Sequence, residues 1–88
     1  MDDQARLLSA FGNAVRELRR NVIDPATGRP LTQEALADLV GLDRSYVGDV
    51  ERGVRNVSLV NIDKLARGVA VSMAFLLERT DNHRAGRS

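Results

Sequence analysis

The 88-residue chain has no cysteine and no tryptophan, a single tyrosine, a single histidine and, among 13 basic residues, a single lysine, Lys64. The missing thiols exclude a disulfide framework and a thiolate metal site. They also fit a reducing compartment, so the expected location is cytoplasmic. Aromatic residues make up only 3% of the chain, so its core must be aliphatic. No apolar run approaches the roughly 18 residues of a transmembrane helix. Asp2 and Asp3 are also the wrong charge for the start of a secretory signal, and no membrane partner is expected. Catalysis finds little to work with. His83 is the sole histidine and lies in a polar tail, where a Ser-His-Asp assembly would need it to fold back onto the body. Metal-ligand spacing and glycine-rich phosphate loops are missing too. The expectation is a protein that is not an enzyme, with no cofactor and no small-molecule effector.

Hydrophobic residues supply 43% and charged residues 28%, ordinary values for a globular domain. A chain this short forms one domain and buries only roughly 60–65% of its unfolded surface, so a second copy is a natural source of stability. The net charge of +1 is a weak pointer to nucleic acid, although a binding face need only be locally positive. Arginine supplies nearly all the positive charge, and its planar fork suits phosphate and guanine better than lysine does.

Apolar residues recur with helical period almost throughout. Leu7, Phe11, Val15 and Leu18 mark a first helix over about 3–20. Asn21 to Pro30 breaks the pattern with turn chemistry at Asp24-Pro25 and Thr27-Gly28, and reads as a loop. Thr32 caps a second helix, with Glu34 in its first turn, Leu36, Leu39 and Val40 as the buried face and Gly41 as its end. Asp43 caps a third over about 44–52, with Val47 and Val50 inward and Gly53 beyond it. Ser58 caps a fourth, striped by Leu59, Ile62, Leu65, Ala66 and Val69, and Ser72 caps a short fifth. No strand pattern or repeat is visible. The expected fold is all-α, five helices in one domain over 1–79, with 80–88 a flexible tail.

Gln33 to Arg52 carries the most information. Two short helices meet at a turn holding Gly41, and Ala37, four residues earlier, is small enough for close approach. Leu36, Val40, Val47 and Val50 are apolar where the pair must face the core. This is a helix-turn-helix over 33–52, whose second helix is free to enter a DNA major groove. The run Leu31-Thr32-Gln33-Glu34-Ala35-Leu36-Ala37-Asp38-Leu39-Val40-Gly41-Leu42 resembles the phage-repressor (Cro/CI, XRE) family, as does Val50-Glu51-Arg52-Gly53 with Asn56-Val57-Ser58-Leu59. Asp43-Arg44-Ser45-Tyr46-Val47 and Glu51 to Asn56 are most similar to the controller proteins of restriction–modification systems. The resemblance spans about residues 11–77 and implies a lambda-repressor-like domain. It also implies a homodimeric transcriptional regulator on a palindromic operator, with double-stranded DNA as partner. An antitoxin or other protein-interaction module on the same fold is the alternative. In one respect the chain departs from the family: Pro30 replaces the usual glycine, and Asn21 to Arg29 are extra.

Arg44, Ser45 and Tyr46 open the recognition helix, where side chains point at base edges. Arg44 either grips guanine O6 and N7 or is a solvated or phosphate-binding arginine. Ser45 suits a base or a phosphate. Tyr46 either touches DNA or lies half-buried against the domain. Asp49, one turn on, accepts from cytosine or orients a nearby arginine. By the resemblance, Gln33 bonds a phosphate and braces the recognition helix. Thr32 caps its helix and can touch phosphate as well. Arg52, Arg55 and Asn56 resemble the family's second backbone clamp, the bland alternative being a solvated loop. The resemblance also implies a partly buried structural ion pair between Arg19 and Glu51. Met73, Phe75, Leu76 and Leu77 are too apolar for a terminal helix on a lone domain; with Val69 and Val71 they are the expected dimer interface. Simple closure of the core is the other reading.

Overall fold

The computed structural model describes residues 2–86. Five α-helices and one small hairpin follow in the order α1 (Asp3–Arg20), β1 (Ile23–Asp24), β2 (Arg29–Pro30), α2 (Gln33–Val40), α3 (Arg44–Glu51), α4 (Leu59–Gly68) and α5 (Met73–Arg84). Each start has a local cause. Asp2, Thr32, Ser58 and Ser72 each accept a bond from a backbone N–H three residues on, satisfying a donor that the helix itself cannot. Asp43 stands at the cap of α3 without a side-chain bond. Gly41 closes α2 with φ of 72°, a left-handed conformation that costs glycine little.

Phe11, Val15, Leu18, Leu36, Val47, Val50, Leu65, Val69 and Leu76 form one apolar core, mostly aliphatic, drawn from all five helices. Gly12 lets α1 and α3 touch through their backbones, since a β-carbon there would collide with the carbonyl groups of Val50 and Glu51. α5 lies along α1. Glu17 of α1 accepts from Arg79 Nε and Nη2, both at 2.9 Å, and stands 3.3 Å from His83 Nε2. The Arg79 hydrogen bond is the main cause that holds the Glu17 carboxyl below its ordinary value. Burial opposes it, and His83 adds a further bond.

Four expectations need correcting. The segment after α1 is not a plain loop. β1 and β2 pair antiparallel, Ile23 opposite Pro30 and Asp24 opposite Arg29. Asp24 organises the turn: its carbonyl accepts from Thr27 and Gly28, and its carboxylate from Ala26. Leu39 and Leu59, assigned to buried stripes, are 66% and 69% exposed. Leu39 lies at the edge of the apolar arc of α2 and Leu59 is the first residue of α4, so both stand clear of the core. The polar run from Thr80 is no frayed tail as far as Arg84. Thr80 is buried, with its hydroxyl donating to the Leu76 carbonyl, and Glu17 clasps the helix through Arg79 and His83. Finally, Val69 and Leu76 are buried within one protomer, so neither is free to face a second copy. Met1, Arg87 and Ser88, which the domain and tail boundaries included, lie outside the described residues.

Candidate nucleic-acid interface

α3 is held from behind and open in front. Val47, Gly48, Val50 and Glu51 are buried, whereas Arg44 and Ser45 are exposed. The hold is polar as well as apolar. Arg19 Nε and Nη2 donate to the two Glu51 carboxylate oxygens at 2.7 and 2.9 Å, and Nη1 donates to the Leu31 carbonyl at 2.8 Å. Gln33 Nε2 donates to Glu51 Oε1 at 3.0 Å, and Arg16 Nη2 to the Glu51 carbonyl at 2.9 Å. One carboxylate therefore ties α1, the start of α2 and the end of α3 together. Burial alone would raise its pKa. The bonds from Arg19 and Gln33, with the charges of Arg19 and Arg16, outweigh that and hold Glu51 below its ordinary 4.5.

The outward surface has its own order. Asp49 accepts from Arg52, and from Arg55 Nε at 3.3 Å. It is thus an acceptor shared by two arginines. The Arg55 guanidinium lies 5.3 Å from the centre of the Tyr46 ring. Tyr46 is half-buried, and its hydroxyl accepts from Asn61 Nδ2 at 3.0 Å. Arg44 Nη1 stands 3.6 Å from Glu34 Oε2, a pair exposed on both sides and so of little energetic weight. Arg44 remains free to turn toward a nucleic acid.

Between α1, the start of α2 and α3 lies an open depression of about 320 Å³ bounded by Arg19, Thr32, Gln33, Glu34 and Arg44. Thr32 Oγ1 accepts from the Ala35 N–H at 3.0 Å and keeps its own proton. Gln33 spends one amide hydrogen on Glu51 and keeps the other. Two free donors, the α2 N-terminus and Arg44 converge there, an arrangement that suits a phosphate. Asn56, exposed in the loop after α3, also lines a groove with Gln4, Leu7 and Leu8 near the start of α1.

Of the remaining apolar candidates, Phe75 and Leu77 are 43% and 40% exposed, whereas Val71 and Met73 are half-buried against the core. Leu77 joins Leu7, Leu8, Phe11, Val57 and Ile62 around an apolar groove. Sequence reading missed Asn61, Arg16 and the Glu17–Arg79 pair. Each is a polar residue acting across two helices, and none leaves a periodic signal.

A helix-turn-helix family profile matches residues 31–76. The chain is 40% identical over 80 residues to control protein C.BamHI of Bacillus amyloliquefaciens, covering 91% of this chain and 89% of that one. It is also similar to the crystal structure of the restriction-modification controller protein C.AhdI from Aeromonas hydrophila. There the identity is 56%, with a TM-score of 0.65 over 78% of this chain and 94% of that one. The controller protein C.Esp1396I, solved as a tetramer with its natural 35 base-pair operator, superposes with a TM-score of 0.71 at 28% identity, covering 90% of this chain and 95% of that one. With its helix-turn-helix in place and these relatives matched over most of its length, the chain belongs to the Cro/CI-like helix-turn-helix family, in the group of the restriction–modification controller proteins.

Proposed function

We propose that the protein is a sequence-specific DNA-binding transcriptional regulator that controls a restriction–modification system. It acts as a homodimer on a palindromic operator, in the cytoplasm, and it does so by binding rather than by catalysis. The observation that carries this reading is α3: buried and bonded on its inner side through Val47, Val50 and Glu51, exposed on its outer side at Arg44 and Ser45. A helix so held presents side chains to a groove without losing its own place. Arg44 reads a base edge, Ser45 a base or phosphate, and Thr32, Gln33, Arg52, Arg55 and Asn56 meet the backbone. Asp49 aims Arg52 and Arg55. The operator bound by C.Esp1396I supports DNA as the ligand. No helix among the described residues is long and apolar enough to cross a membrane.

Phe75 and Leu77, with the groove beside Leu77, form the two-fold contact. The two recognition helices then lie about 34 Å apart, one turn of duplex. Selection of bound duplexes from a random pool, with mass measurement of the complex, tests the reading. The expected product is an inverted repeat bound by an even number of chains. Enrichment of no sequence would refute it.

A further inference from the structure

We propose that Asn61, on α4, fixes the hydrogen-bond polarity of Tyr46, so that the phenol offers DNA a donor rather than an acceptor. This rests on α3 facing DNA and goes further, assigning a chemical sense to one contact and a positioning role to a residue outside the helix-turn-helix. Asn61 is the third residue of α4, and its backbone N–H donates to Ser58 Oγ at 3.1 Å, so the cap sets its place. Its amide Nδ2 donates to Tyr46 Oη at 3.0 Å. A phenol has one hydrogen, and an oxygen accepting on one side cannot aim that hydrogen at the donor. Among the described residues the Tyr46 hydroxyl donates to no protein acceptor. The ring is flanked on one face. Arg55 lies over it at 5.3 Å, and Asp49 holds Arg55 through Nε at 3.3 Å.

The proton is therefore turned away from Asn61 and left for a partner outside the chain. Its partners on a duplex are guanine O6 or N7, adenine N7, thymine O4 or a phosphate oxygen, and not the amino groups of adenine or cytosine.

Asn61→Asp tests this, because it replaces the donor with an acceptor of nearly the same shape. A carboxylate in the first turn also suits the helix dipole, so α4 is kept. The Tyr46 proton then turns inward, leaving lone pairs toward DNA. The parent, Asn61→Asp, Tyr46→Phe and the double variant are each titrated against the duplex that the parent selects and against random duplex, with thermal melting alongside. Asn61→Asp in the Tyr46 parent is expected to weaken the selected duplex about fivefold. In the Tyr46→Phe background the same substitution is expected to have much less effect, since the phenol is already gone. A changed preference at one base pair per half-site places the acceptor on a base. An equal loss on all sequences places it on a phosphate. Either result supports the polarity. Asn61→Ala, which frees the hydroxyl rather than reversing it, is expected to give a smaller coupling to Tyr46 of the same sign should the aspartate variant melt early.

An Asn61→Asp variant that binds like the parent, or that loses as much in the Tyr46→Phe background, overturns the proposal. A parent that selects no sequence refutes the DNA reading itself, a distinct outcome.

Discussion

Replacing Glu51 by alanine removes the acceptor at which three elements meet. In the parent its carboxylate takes two bonds from Arg19 and one from Gln33. After Glu51→Ala, the Arg19 guanidinium remains buried with only the Leu31 carbonyl at Nη1. Breaking one side of a buried ion pair costs about 3–5 kcal/mol, because the other charge stays desolvated. A domain of this length has about 4–13 kcal/mol in all. The loss is therefore a large share of the total, and at about 4–8 °C per kcal/mol the melting temperature should fall by about 12 °C or more. Helical circular dichroism against temperature or urea reads this directly. Arg19→Ala and the double variant complete the cycle, and the double should cost less than the sum of the singles. A Glu51→Ala protein melting within about 2 °C of the parent would refute the reasoning, since so small a shift leaves well under 1 kcal/mol for the whole cluster.

Acid should find the same weak point. Glu51 and Glu17 both ionise below their ordinary 4.5 in the folded chain. Their stabilisation is complete above that value and is lost as pH falls through the lower folded values. Urea midpoints should thus be flat near neutrality and drop below about pH 4.5, less steeply in Glu51→Gln; a midpoint unchanged down to pH 3 would contradict this. Arg44→Ala should relax preference at one base pair by about 1–3 kcal/mol, whereas Arg52→Ala should weaken all duplexes alike and flatten the salt slope by about one unit; competition binding at several salt concentrations separates them. Leu77→Arg should leave a folded monomer in sedimentation, while Leu76→Arg should not fold, because Leu76 is wholly enclosed in one protomer. Gly12→Ala should destabilise by at least about 1–3 kcal/mol by forcing α1 away from α3, as judged by urea melts.

Much of this fold is legible in local chemistry. Thr32, Ser58 and Ser72 mark helix starts because a hydroxyl satisfies a donor three residues away, a rule that needs no tertiary knowledge. Val47 and Val50 face inward because a helix with one wet side must bury the other. The hairpin stayed hidden because strands of two residues have no period to read. The end of α5 stayed hidden for a different reason. Its inner face is held by ions, through a contact 62 residues apart in sequence, so the apolar pattern stops before the helix does. Apolar residues at 73, 75, 76 and 77 cover more than one face of α5. Composition could not say that Leu76 points in while Phe75 and Leu77 point partly out. In the site itself, Arg44 is readable from its place at the start of α3, and Arg52 and Arg55 from theirs just after it. The Asn61–Tyr46 bond is not, because it joins two helices that sequence alone does not bring together.

The two sides of α3 answer to different demands. Its anchoring chemistry lies in Val47, Val50 and Glu51, whereas Arg44 and Ser45, the pair proposed to read DNA, stand exposed on the other side. A lineage carrying this scaffold can therefore exchange the outward pair and drift to new operators while its melting behaviour hardly changes.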